Sequence, residues 1–195
     1  MWKRLGDVAE VLTGYPFRGK VMPDEDGDLA TIQIKDLTGD GGLDLDGALR
    51  IRGDGNYERH LLRANDILMQ SRGTACRATI FEGTVRAIAA LGLLVIRPKT
   101  AVVRPAFLLW YLNHPKSQDR LRDLARGSTV AFITKNDAAD FTVPTPSLAL
   151  QEQVIAVDQL RRQERSLAAE LDRMRANYID TFLWQAAASD STKKD

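Results

Sequence analysis

The sequence predicts an α+β protein: a mixed, β-rich domain over residues 1–147, a long helix with coiled-coil texture over 148–186, and a disordered tail over 187–195. Three observations predict it. Short apolar runs recur through the first hundred residues, separated by loops rich in glycine, proline and aspartate, as strands and their connections do. A proline-led apolar segment and a second amphipathic one then read as helices. From Ser147 onward there is no glycine or proline, and Ala, Leu, Glu, Gln and Arg dominate, which is the composition of one continuous helix.

Taken in order, residues 3–12 put Leu5, Val8 and Leu12 on one side of a short helix or turn. Thr13-Gly14-Tyr15-Pro16-Phe17-Arg18-Gly19-Lys20 is a shaped loop, with Tyr15 and Phe17 expected to anchor it on the core. Ala30–Lys35 alternates as a strand, and the Gly/Asp-rich stretch from Thr38 to Gly47 is a loop. Leu61–Met69 is a turn feeding a strand, Ser71–Thr74 a polar loop, and Ala78–Phe81 another strand. Gly92–Arg97 is a buried strand ended by Pro98. Pro105 opens a helix whose apolar side is Phe107, Leu108, Trp110, Tyr111 and Leu112. Ser117–Ala125 is a second helix, for which Gly127 is the expected C-terminal cap. Phe132–Asp137 reads as a short strand and turn, and Phe141–Pro146 is held extended by its prolines. Ser147 caps the long helix. Along that helix Val154, Val157, Leu160, Leu167, Leu171, Met174, Tyr178 and Phe182 make an apolar stripe, interrupted by Arg161 and Glu164. A helix of this length spans roughly 60 Å, so much of it is expected to project and find a partner.

Composition bounds the function. The single cysteine, Cys76, excludes an internal disulfide and a Cys-rich zinc site, and fits a reducing, cytoplasmic setting. Met1–Asp7 starts basic but has no apolar run after it, so no secretory leader is expected, and the longest apolar stretch, Ala87–Ile96, is too short to span a bilayer. The net charge is only +1, but it is segregated. Nine acidic residues fall between Asp24 and Asp54 against three basic ones, while Arg59–Lys135 holds thirteen basic residues against four acidic. Such a chain can carry a basic face at near-neutral overall charge.

In order and spacing, the motifs resemble the target-recognition half of a type I restriction-modification specificity subunit. The resemblance rests on Leu5-Gly6-Asp7-Val8-Ala9-Glu10 leading to Gly14-Tyr15-Pro16-Phe17, on Ile32–Leu37, and on Leu62-Arg63-Ala64-Asn65-Asp66-Ile67-Leu68. It continues through Ser71-Arg72-Gly73, Pro105–Leu112, Gly127-Ser128-Thr129 with Ile133-Thr134, and Val143-Pro144-Thr145-Pro146 running into Gln151-Glu152-Gln153. It covers residues 3 to about 184. Asn65 stands where the family commonly has glycine, a position that asparagine tolerates in a left-handed turn. Gln151 leads the Gln-Glu-Gln where an acid is usual. Full specificity subunits carry two recognition domains and two spacer helices; one of each is present here, so the resemblance implies a half-subunit form that pairs with a second copy.

Motifs for chemistry are not found. There is no methyltransferase Asn/Asp-Pro-Pro-Tyr/Phe motif and no P-loop, since Phe17–Val21 lacks the first glycine and the hydroxyl. His60 and His114 have no zinc spacing and read as surface or helix-end residues, and Asp44 and Asp46 read as solvated. No catalytic residue, metal or cofactor is therefore assigned. The DNA contacts expected are polar groups on three loops: Arg18 and Lys20; Gln70, Arg72 and Thr74; and Arg126, Ser128, Thr129 and Lys135. Arg77 and Arg86 are secondary choices. The resemblance further implies double-stranded DNA, a second copy, a DNA methyltransferase subunit and a restriction or translocase subunit as partners, with no membrane role. The eight stripe residues are the expected dimerisation face, pairing antiparallel. The alternative is a scaffold or decoy that engages modification subunits through its coiled coil without binding DNA.

Overall fold

Two units make up the computed structural model, Met1–Glu152 and Gln153–Asp195. It describes residues 1–17, 22–38, 41–53, 57–73, 75–125 and 131–191, with side chains through residue 185. In chain order the elements are β1 (Trp2–Arg4), α1 (Leu5–Val8), β2 (Ala9–Thr13), β3 (Leu29–Ile32), β4 (Leu49–Ile51), β5 (Asp66–Gln70), β6 (Ala78–Phe81), β7 (Ala87–Ala89) and β8 (Leu93–Pro98). Then follow α2 (Pro105–Asn113), α3 (Pro115–Leu124), α4 (Lys135–Asp140), β9 (Thr142–Pro144) and α5 (Leu148–Ser191), with 3-10 turns at Ile34–Asp36 and Glu58–His60.

Three sheets organise the first unit. The largest is antiparallel, in the order β2-β8-β5-β6; a three-stranded sheet has the order β4-β3-β7, and β1 pairs with β9. In the largest sheet Thr13 lies opposite Leu94, Gln70 opposite Leu93, and Met69 opposite Ala78. The end of β2, the start of β8, the end of β5 and the start of β6 therefore fall at one end of the sheet. Ile32, Leu68, Phe81, Leu93 and Val95 share one buried cluster, which joins the two larger sheets. A second cluster, Leu29, Ile51 and Ile88, takes Tyr15 and Phe17 against it, so both aromatics anchor their loop on the core. Side chains from the helices grip strand backbone: Asn113 of α2 both donates to and accepts from the backbone of Ala78 (2.8 and 3.0 Å).

The turn before β5 has a clear physical logic. Asn65 takes φ 73°, the left-handed conformation expected for it. The Asp66 carboxylate accepts the Arg63 N–H (2.8 Å) and both the Nε and Nη2 of Arg97 (2.8 and 2.7 Å). Asp66 is 1% exposed, so this bidentate pair supplies the bonding that a buried carboxylate requires. Hydrogen bonding to Asp66, opposed in part by burial, holds the Arg97 guanidinium above its ordinary value.

Three segments differ from the sequence reading. The helix expected across residues 3–12 is one turn, Leu5–Val8, after which Ala9 and Val11 turn inward and Glu10 outward as β2. The five-residue ladder with β8 supplies the backbone bonding that a longer helix would have supplied itself. The strand and turn expected at Phe132–Asp137 reduces to a bridge at Phe132, followed by α4. Thr134 and Asp137 form a reciprocal capping box that starts this helix. Likewise Ala30–Lys35 is strand only to Ile32 and then a 3-10 turn.

α5 is entered through a dense set of bonds. Ser147 Oγ accepts the Leu150 N–H (3.3 Å). The Gln151 amide is fully buried: its oxygen accepts the Arg104 N–H (2.8 Å), and its nitrogen donates to the carbonyls of Val102 (3.1 Å) and Pro146 (3.0 Å). In the second unit, Val157, Leu160, Leu167, Leu171, Met174, Tyr178 and Phe182 are exposed, while Val154 is half-buried. Arg161, expected to interrupt the stripe, is held by Asp158 (2.8 Å), which also binds Arg162 (2.7 Å). The tail expectation falls on residues whose side chains, and beyond Ser191 whose backbone, lie outside the described residues. Among the described residues no helix is long and apolar enough to cross a membrane.

Candidate nucleic-acid interface

The loops singled out in the sequence meet at the sheet end where β2 stops and β8 begins. The turn between β7 and β8 is the hub. Tyr15 donates its N–H to Ala89 O (2.7 Å) and accepts the Leu91 N–H (3.0 Å), tying down the first loop. Gly14 passes so close to this turn that a Cβ there would lie 2.0 Å from Ala90 O. On the other side, the N–H and Oγ of Ser71 both donate to Gly92 O (2.9 Å each), tying in the second loop. Ser71 O in turn accepts the Ile133 N–H (2.8 Å), and Gly73 donates to Ala131 O (2.9 Å), so the third loop is laced to the second. Arg72 and Phe132 form an antiparallel bridge, which sets their side chains next to each other on one side. Both are exposed.

Of the expected contact residues, Gln70, Arg72, Arg77 and Lys135 are described. Gln70 is half-buried at the end of β5, its side-chain nitrogen bonded to Arg72 O (2.6 Å), and its backbone N–H bonded to Arg77 O (2.8 Å). It braces the loop more than it faces outward. Arg72, Arg77 and Lys135 are exposed and have no side-chain hydrogen bond or ion pair among the described residues. Arg18, Lys20, Thr74, Arg126, Ser128 and Thr129 lie outside the described residues.

Ion pairing sorts the remaining cations. Arg86 is held by Asp28 (2.7 Å) and Glu58 (2.8 Å), so the acidic stretch neutralises it. Arg52 is taken by Asp24 and Arg104 by Glu152. Arg120 is committed to Tyr111, to Thr142 and to the ring of Phe141. Asp28 is held below the usual carboxylate range, first by the Gly53 N–H and then, against burial, by Arg86. Among the described residues, Arg59, Arg72, Arg77 and Lys135 stay open near the loop end. Sequence reading overlooked Arg59; its place between aromatic Tyr57 and His60 was the available signal.

Cys76 is buried, and the histidines lie at the ends of a turn and a helix. Burial pushes the Cys76 thiol up, and its backbone is clasped by Gln118 of α3 (3.0 and 3.3 Å). His114 caps α3, its Nδ1 accepting the Lys116 N–H (3.3 Å), and His60 is exposed at the end of a 3-10 turn. Among the described residues no group of three or more His, Cys, Asp or Glu side chains is placed to hold a metal ion.

An α+β head that gathers its loops at one sheet end, followed by a single long helix, defines the class. The chain belongs to the family of the type I restriction modification DNA specificity domain, which it matches over residues 1–172. Its fold is similar to that of the HsdS subunit from Thermoanaerobacter tengcongensis, at 24% identity and a TM-score of 0.65 over 86% of this chain and 38% of that one. It is also similar to a chain from a structure of complex assembly and conformational transition of the type I R-M system, at 23% identity and a TM-score of 0.64 over 86% and 39% of the two chains. The S subunit of the type I system of M. genitalium matches at 14% identity and a TM-score of 0.57, over 84% and 39%. The chain thus spans less than two fifths of the length of each. No curated protein matches it by sequence.

Proposed function

We propose that this chain is a sequence-specific DNA-binding module of a type I restriction-modification specificity subunit, acting by binding and leaving the chemistry to other subunits. One observation carries this reading: the hub that joins three loops at one sheet end, with Arg72, Arg77 and Lys135 around it free of acidic partners among the described residues. Open cations on loops fixed by backbone bonds suit phosphate contact and register, and arginine forks among them suit guanine edges. Gln70 supports the second loop in this reading. Two copies pair antiparallel through the apolar face of α5 and read a target of two equivalent half-sites with a fixed spacer. A DNA methyltransferase subunit, and in a restricting system a translocating nuclease, dock on the paired helices. The setting is cytoplasmic.

A mobility-shift titration of the purified chain on duplex DNA tests the reading. Binding is expected at low salt, with log K falling linearly and steeply against log salt. Arg72→Ala and Lys135→Ala should each weaken binding while leaving the circular dichroism spectrum unchanged. A chain that shifts no duplex at 50 mM salt overturns the reading in favour of the scaffold.

A further inference from the structure

A cleft of about 120 Å³ opens beside the hub, lined by Thr13, Tyr15, Arg59, His60, Arg97 and Lys135 among others. Its position follows from elements already described. Thr13 ends β2, Tyr15 is locked to the β7–β8 turn, Arg59 and His60 come from the 3-10 turn before β5, and Lys135 opens α4. Tyr15 fixes the wall from below: its ring stands edge-on to His60 at 5.0 Å and to Tyr57 at 5.1 Å. Among the described residues no acidic side chain lines the cleft. Of its three full cations, Arg97 is neutralised by Asp66, but Arg59 and Lys135 have no ion-pair or hydrogen-bond partner for their side chains among the described residues. Glu58, the acid next in sequence to Arg59, is already taken by Arg86. Two open cations from distant parts of the chain therefore converge on one concave, acid-free space, with a hydroxyl and an imidazole beside them.

We infer that this cleft seats one backbone phosphate of the bound duplex, held by Arg59 and Lys135. The inference rests on the DNA-binding reading above and extends it to Arg59 and His60, which face the cleft rather than the loop tips. A phosphodiester suits the space because it is a small anion with several acceptor oxygens, and it draws charge-assisted bonds from arginine and lysine alike. Such a contact sets how the head lies on the duplex without reading sequence.

The test is the salt dependence of binding to a non-specific duplex, measured by fluorescence anisotropy for the wild type, Arg59→Gln, Lys135→Gln and the double variant. Both side chains are exposed, so folding should survive, and circular dichroism checks that it does. Arg59→Gln and Lys135→Gln should each make the slope of log K on log salt shallower by about one, on every sequence tried. A wild type with a steep slope that both variants keep overturns the cleft and leaves the DNA reading standing. A wild type without salt-dependent binding overturns both. Inorganic phosphate supplies the remaining arm, through thermal shift at constant ionic strength. Stabilisation lost in the double variant, with duplex affinity unchanged, would assign the cleft to a free anion and overturn the proposal.

Discussion

Gln151 shows how much one side chain decides. Its surroundings require the amide. The oxygen takes a backbone N–H from Arg104, and the nitrogen gives hydrogens to two carbonyl oxygens, all at full burial. A carboxylate has no hydrogen to give, and would set negative charge against Val102 O and Pro146 O. Gln151→Glu should therefore lower unfolding free energy by about 3 kcal/mol at neutral pH, the scale of a buried, unpaired polar group; urea denaturation reads it. Gln151→Ala, which strands one N–H and two carbonyls but buries no charge, should cost less. An equal loss in both variants would refute the charge argument. The same reasoning from bonds explains Asp66, whose carboxylate closes its own turn and binds Arg97 bidentately. Asn65 was legible in advance because asparagine tolerates positive φ. The bonding of Gln151 was not, since two of its three partners lie forty-seven and forty-nine residues away in the chain.

At the scale of elements, the β7–β8 turn holds the loops together, and Gly14 is its tightest point. A methyl group there meets Ala90 O at 2.0 Å and Ala90 C at 2.5 Å, both backbone atoms. The first loop would have to move away from the turn, breaking the bonds from Tyr15 to Ala89 and Leu91. Gly14→Ala should cost about 2 kcal/mol in stability, as overpacking does. If the hub positions the DNA contacts, duplex affinity should also fall by more than that of an equally destabilised core variant. Affinity that tracks stability alone would limit the hub to a folding role. The glycine, proline and aromatic pattern made this loop readable from sequence, and short apolar runs did the same for the strands found at Ala78–Phe81 and Leu93–Pro98. Short pieces whose state depends on distant pairing were not readable. β2 is a strand because β8 lies beside it, and α4 is a helix because Thr134 and Asp137 cap each other where a turn pattern suggested otherwise. Which cations remain open was equally hidden, because pairing joins residues as far apart as Asp28 and Arg86.

For the molecule as a whole, the decisive quantity is the apolar surface of α5. Val157, Leu160, Leu167, Leu171, Met174 and Tyr178 fall on the two core positions of an unbroken heptad, with Glu164 filling the one gap among them. All six are exposed, the least so being Leu171 at 47%. Burying one such side chain contributes roughly 1.5–3 kcal/mol, so the stripe together represents a large unspent driving force for association. A second copy carries the same stripe, which makes self-pairing the economical way to cover it. The wild type should then scatter light as twice the 21.7 kDa chain mass, and its melting temperature should rise with concentration, as mass action requires of a dimer. Leu167→Glu combined with Leu171→Glu places like charges in the middle of the seam. This variant should be monomeric at the same concentration, with the near-ultraviolet spectrum of the first unit retained because Trp2 and Trp110 lie there. It should still bind duplex DNA, at the affinity of one head rather than two. A wild type that remains monomeric at high micromolar concentration would refute self-pairing and leave the stripe to another subunit. A double variant that dimerises as before would show that the seam runs elsewhere.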